Sequence, residues 1–213
     1  MKQCFTILCL LISSCAFAQK DTAANYVKHA TYERHSLTLG VSVGFIDAYR
    51  HSYPLATGFE KNNTTGFAPV FFKLEYGLSN SISLAAAFGY DAFLYNVKQD
   101  YTGNNGPFTR YIANNTRILS GGLTAFYHLG KTIHIKHLDP VIGVGLSLNN
   151  IRYGAFPQGD STVTKIDHTI TPYLKVGASY YISSVYSIFG DIGYDQHTIF
   201  NIGFACRFFR REK

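Results

Sequence analysis

Hydrophobic and polar residues alternate along most of the chain. In residues 36–46, Leu37, Leu39, Val41, Val43 and Phe45 share one face, and Ser36, Thr38, Gly40, Ser42 and Gly44 share the other. A period of two is the signature of a strand. The same alternation returns in residues 67–78, 82–93, 117–129, 140–151, 169–182, 186–194 and 198–209. Eight segments of about 9–14 residues exceed the five or six usual in a soluble sheet. They match a tilted strand crossing a bilayer, which takes about 9–11.

The connections alternate as well. Residues 79–81, 130–139 and 183–185 are short links. Residues 47–66, 95–116 and 152–168 are long and rich in Asn, Gly, Pro and Thr, as solvated loops are. The last link, 195–197, is tight although it falls in a long-loop position. Alternating short and long links are expected of hairpins that open in turn on two sides of a membrane.

The second face decides the solvent. It carries mostly Gly, Ser, Ala, Thr and Asn, too small and too uncharged for a soluble exterior. Such residues suit the interior of a narrow barrel, which leaves the apolar face to lipid. The expected fold is all-β, an eight-stranded antiparallel up-and-down transmembrane β-barrel over residues 36–209. Tyr76, Tyr127, Tyr180, Tyr186 and Phe208 mark one end of the apolar face. Phe45, Tyr90, Tyr194 and Phe200 mark the other, as two interfacial belts would.

Composition narrows the class further. Of 213 residues only 15% are charged, while aromatics reach 15% with no Trp. That excludes a disordered chain and a coiled coil. The net charge is +6, but the basic residues are scattered apart from Arg207, Arg210, Arg211 and Lys213 at the end. A nucleic-acid footprint would be a concentrated stripe, so nucleic acid is not an expected partner.

Residues 1–18 read as a signal peptide: Lys2, an apolar run over 5–12, and Ala16-Phe17-Ala18 before a cleavage point at Gln19. A rival reading takes 12–15 as a loose lipobox with a lipid on Cys15. Residues 19–35 are then a periplasmic N-terminal segment and 210–213 a basic tail. Cleavage at Gln19 leaves Cys206 as the sole cysteine of the mature chain, so no internal disulfide is expected.

On these residues the chain resembles the small outer-membrane β-barrels of the OmpX, OmpW and OmpA-transmembrane type. Asn201–Phe208 is similar to the terminal strand by which such barrels are read by the barrel assembly machinery, with Cys206 in place of a larger apolar residue and Arg210–Lys213 beyond the usual end. The resemblance implies an outer membrane of a diderm bacterium. It implies outer-membrane lipid and lipopolysaccharide as surroundings, the assembly machinery as a partner during insertion, and a structural or interaction role. An external ligand would meet the loops 47–66, 95–116 and 152–168.

Candidate chemistry is sparse. Lys73, Glu75, Asp91, Lys175, Asp191 and Arg207 fall on the small-residue face, and in a narrow lumen they are expected to pair as a structural charge cluster. A hydrolase needs a Ser with a His and a carboxylate nearby. The nearest grouping in sequence, Asp195, His197 and Thr198, lacks the Ser. His134 and His137 lie three apart, a metal spacing only on a helix, and nothing in the pattern predicts one there. Gly143-Val144-Gly145 lacks the following helix of a phosphate loop. No cofactor, no metal and no catalytic residue is therefore expected. The alternative on the same scaffold is a lipid-modifying enzyme or a narrow solute channel.

Overall fold

The computed structural model describes residues 34–47, 60–103, 106–133, 137–154, 156–158, 161–163, 166–193 and 198–208. The proposed signal peptide, most of the N-terminal segment, the basic tail, His134 and the Asp195–His197 grouping lie outside the described residues.

Eight strands pair in a closed ring. β1 (Leu37–Asp47) pairs with β3 (Val70–Gly77), β3 with β4 (Ile82–Gly103), and β4 with β5 (Gly106–His128). β5 pairs with β6 (Leu138–Tyr153), and β6 with β9 (Ile166–Tyr181). The ring runs on through β10 (Tyr186–Gly193) and β11 (Thr198–Phe208) back to β1. Every pairing is antiparallel, and closure leaves the ring itself without an edge. Three shorter strands lie outside the ring: β2 (Glu60–Gly66), which adds to β4, and the small hairpin of β7 (Phe156–Gln158) and β8 (Ser161–Val163).

The short-turn end is built from one device used twice. Ser79 Oγ accepts from the amides of Ser81 and Ile82, at 3.2 and 3.0 Å. Ser183 Oγ accepts from Val185 and Tyr186, at 3.3 and 3.1 Å. A serine hydroxyl thus satisfies amides that the tight turn would leave open. The third link on this side holds one turn of helix, α1 (Gly130–Ile133), where a plain short connection was expected. Both described chain ends, at 34 and 208, lie at this end of the barrel.

The opposite end departs from expectation. Residues 95–116 are not a loop: β4 and β5 continue in unbroken register from Ile82↔Tyr127 to Gly103↔Gly106. Gly106 has φ +104°, a conformation that suits Gly beside the Asn104-Asn105 link. Residues 60–66 of the expected first loop are β2, continuing the line of β3 along β4 after a break at 67–69. Three residues there face two on β4, a bulge that contains Pro69. The third expected loop is cut from both sides, because β6 runs to Tyr153 and β9 begins at Ile166.

The faces follow the alternation. Large apolar side chains such as Leu84, Leu123, Val144, Leu174 and Ile192 stand exposed on the outside. Tyr76, Tyr127 and Tyr180 are exposed at one end and Phe45 and Tyr90 at the other. Inside, rings lie on glycines of neighbouring strands. A Cβ at Gly89 would come within 2.5 Å of the Phe71 ring, and one at Gly143 within 2.5 Å of Phe126. A Cβ at Gly145 would reach 2.7 Å from Tyr173, and one at Gly203 2.6 Å from Phe189. The small-residue face is thus small because aromatic rings from the adjacent strands fill the space above it.

Candidate functional site

The densest polar chemistry lies inside the barrel at the short-turn end. Alternation turns Lys73 and Glu75 of β3 to the same inner face, where Lys73 Nζ and Glu75 Oε2 are 2.9 Å apart. The lysine also sits over the Phe189 ring, at 4.3 Å, and within 5.4 Å of Phe126. The other Glu75 oxygen, Oε1, accepts the Ser83 hydroxyl at 2.8 Å and lies 3.2 Å from His128 Nε2.

Ser83 and His128 arrive through the β4–β5 register. Ser83 is paired with Phe126, and His128 is two residues further down β5 on the same face, so the two are diagonal neighbours. Ser83 Oγ and His128 Nε2 are 2.9 Å apart. On the other side His128 Nδ1 lies 2.7 Å from Asp139 Oδ2, and Asp139 Oδ1 accepts the Gly130 amide at 3.1 Å. Asp139 enters by the same geometry, since Val141 opposes His128 and Asp139 is two residues earlier on β6. Glu75, Ser83, His128 and Asp139 are all buried.

The order of contacts, serine to histidine to aspartate, matches that of a hydrolytic triad, but the surroundings oppose the chemistry. Ser83 is 0% exposed. Glu75 Oε1 already takes the serine proton and puts negative charge beside the oxygen where an oxyanion would have to be stabilised. The arrangement is suited to tying strands β3, β4, β5 and β6 together.

The other charges on this face are placed as follows. Lys175 Nζ is 3.7 Å from Asp191 Oδ1 and 5.2 Å from the Tyr173 ring. Asn201 Nδ2 donates to the same Asp191 oxygen at 2.9 Å and is itself held by the Thr198 hydroxyl at 3.1 Å. The hydroxyls of Thr124 and Tyr173 bond to each other. Arg207 is buried with its guanidinium 4.1 Å over the Tyr181 ring, and Thr38 stands opposite both Arg207 and Glu75. Asp91 is buried further toward the long hairpin, paired with Ile118.

Three members of the short-turn cluster escape a reading of charges alone. Ser83 and His128 sit on the small-residue face of the sequence pattern, but the histidine is not counted among the inward charges. Asp139 falls in what reads as a connection. Extending the inner-face parity of Gly143, Gly145 and Ser147 back through Val141 would have placed Asp139 inside. Among the described residues no group of three or more His, Cys, Asp or Glu is arranged to hold a metal ion.

No protein-family model matches the chain, and no curated protein matches it. Among solved structures the chain is similar to the outer membrane protein OprG from Pseudomonas aeruginosa. Identity there is 10%, over 85% of this chain and 100% of that one, with a TM-score of 0.49. It is also similar to the N-terminal β-barrel domain of Pseudomonas aeruginosa OprF, at 15% identity over 82% and 98% of the two chains, TM-score 0.45. A third is Ail, the attachment invasion locus protein of Yersinia pestis, at 10% identity over 82% and 99%, TM-score 0.43. On its own strand pairings, the chain is an eight-stranded antiparallel up-and-down β-barrel.

Proposed function

We propose that the protein is an integral outer-membrane barrel whose lumen is filled by its own side chains. Its role is structural or one of interaction, carried by the sheet that rises above the membrane. One observation carries the reading: the apolar face changes sides along the same strands. From Ile82 to Leu94 the outward positions of β4 are Ile, Leu, Ala, Phe, Tyr, Ala and Leu. That stretch spans about 30 Å along a barrel axis, at about 3.3 Å per residue and a tilt of about 40°, close to the apolar thickness of a bilayer. Above it the outward residues are Asn96, Lys98 and Asp100, and from Phe93 on the inward residues become large and apolar, Phe93 and Tyr95 at 2% and 1% exposure.

β5 and β6 repeat the change. Leu119 and Leu123 face out, whereas Ile118 is buried and Arg117 and Asn115 are exposed above it. Leu146 and Leu148 face out, whereas Ile151 and Tyr153 are buried and Arg152 is exposed. Apolar out and polar in fits lipid; apolar in and polar out fits water.

In this reading outer-membrane lipid and lipopolysaccharide surround the belt. The assembly machinery reads Asn201–Phe208, which closes the ring as β11. An external ligand meets the long-hairpin end, at segments 47–66, 95–116 and 152–168. The proposed leader and the placement of both described ends at the short-turn side support a periplasmic side there. The four interior rings on glycines and the buried ion pairs support a filled lumen over a solute channel. The position of Glu75 beside Ser83 supports a non-enzymatic role.

The test is labelling of whole cells in a Cys206→Ala background with a membrane-impermeant thiol reagent. Asn63→Cys and Asn104→Cys should react and Lys131→Cys should not. The reverse pattern would overturn the orientation, and equal labelling of all three in intact cells would overturn the membrane placement.

A further inference from the structure

We propose that His128 is an imidazolium, a fixed cation of the lumen mouth, so that the short-turn end of the barrel is held closed by a proton. Each ring nitrogen faces an acceptor. Nδ1 lies 2.7 Å from Asp139 Oδ2, and Nε2 lies 3.2 Å from Glu75 Oε1. A bare nitrogen at either place would set its lone pair against a carboxylate oxygen. The hydroxyl at Nε2 does not relieve this, because Ser83 gives its one proton to Glu75 and presents lone pairs to the ring. Two N–H donors on one imidazole require the charged ring.

The charges that pair here agree. Among the described residues the groups facing the ring are Glu75 and, through it, Lys73 from β3, Ser83 from β4, and Asp139 from β6. On its own strand the nearest inner-face residues are Phe126 and Thr124. Arg207 stands beyond Thr38 from Glu75 and lies over Tyr181. Glu75 and Asp139 are two carboxylates paired with one ammonium, Lys73, and with His128. Among the described residues, a neutral ring would leave one buried carboxylate without a countercharge, which is costly in a dry interior.

The ring is the group that joins the β3–β4 side of this cluster to β6. With the proton in place both carboxylates are held. When the proton leaves, one of them faces a lone pair and the mouth is loosened. The tie is complete where the ring is charged and is lost as pH rises and the ring is neutralised. The contacts are intramolecular, so the inference stands apart from the membrane placement.

The experiment is nitrogen-15 NMR of the imidazole in the folded, mature barrel in detergent micelles at about pH 7.5, above the ordinary imidazole value of about 6.5. The His128 signal is assigned through its own backbone and checked by its loss in His128→Gln. Both ring nitrogens should carry a proton, with shifts in the imidazolium range. In Asp139→Asn the ring should become a neutral tautomer at the same pH, with the folded band retained on an unheated gel. A wild-type ring with one protonated nitrogen at that pH overturns the proposal. So does an imidazolium left unchanged by Asp139→Asn. If Asp139→Asn does not fold, a wild-type titration decides: loss of one ring proton below about pH 7.5 overturns it, and retention of both above that pH supports it.

Discussion

The lower barrel and the sheet that rises from it are made by the same strands and obey opposite rules. Below Leu94, β4 puts leucine and phenylalanine outside and serine, alanine and aspartate inside. From Phe93 upward the strand buries Phe93 and Tyr95, and above Leu94 it turns Asn96, Lys98 and Asp100 outward. The backbone pairing does not change across this level, since the β4–β5 register is continuous. In the proposed membrane reading, what changes is the solvent that each face must satisfy. Apolar residues go where water is absent, and in a membrane barrel that place is the outside.

The comparison can be broken most severely from inside the lower barrel. There the interior depends on paired charge, so Glu75→Gln should leave Lys73 and His128 facing a neutral amide. The expected loss is about 3–5 kcal/mol, the cost of breaking a buried ion pair from one side. Urea unfolding of the barrel in micelles measures it, and a loss under about 1 kcal/mol would mean that the cluster is not a tie.

Exposed apolar residues separate the two regions by a smaller amount. Leu174→Arg stands at a lipid-facing position of the lower barrel and should cost about 2–4 kcal/mol. Phe108→Arg stands at an exposed position of the rising hairpin, on the side that continues the barrel's inner face, and should change stability by about 0.5 kcal/mol or less. Equal costs at the two sites, measured by folding equilibrium in bilayers, would remove the distinction between the regions.

Inside and outside can also be compared within the lower barrel. A Cβ at Gly145 would meet the Leu123 carbonyl oxygen at 2.4 Å and the Tyr173 ring at 2.7 Å, whereas nothing lies within 4 Å of one at Gly121. Gly145→Ala should therefore cost about 1–3 kcal/mol through overpacking, and Gly121→Ala should fold as the parent does. The shift in unfolding midpoint checks both.

The smallest effect lies in the hairpin. The Thr109 hydroxyl bonds to Asp100 at 2.6 Å, and with Lys98 at 3.6 Å it holds the Asp100 carboxyl below the usual carboxylate range. A depressed value means that the contribution is present above that range and is lost as pH falls through it. Amide exchange near Asp100 and Thr109 should quicken under acid while the lower barrel stays protected.

The strand count, the choice of outward face and the closure were legible because the alternation is strict through the lower barrel, where the outer face is apolar and exposed. Leu37–Phe45, Ile82–Tyr90 and Leu174–Tyr180 show it without a break. The height of the β4–β5 hairpin was not legible for the same reason. Once the solvent changes, Asn96, Lys98, Gln99 and Asp100 read as loop, although the period of two continues through Phe93, Tyr95 and Val97. The inner charges were legible as single residues, but their partners depend on register. Ser83, His128 and Asp139 come together because three strands are paired at particular offsets, and no spacing within one segment reports that.

The central claim is that lipid meets the outer face of the lower barrel and stops below the hairpin. The chain has no tryptophan, so a single one introduced at a chosen site reports without background. Leu174→Trp, Val144→Trp and Phe108→Trp, each in vesicles containing brominated acyl chains, place reporters at two levels, since Val144 and Leu174 are cross-strand partners and Phe108 lies in the hairpin above. Strong quenching is expected at 174 and 144, with emission at 108 as in unbrominated vesicles. Unquenched emission at 174 and 144 in the folded protein, or equal quenching at all three, would contradict the account.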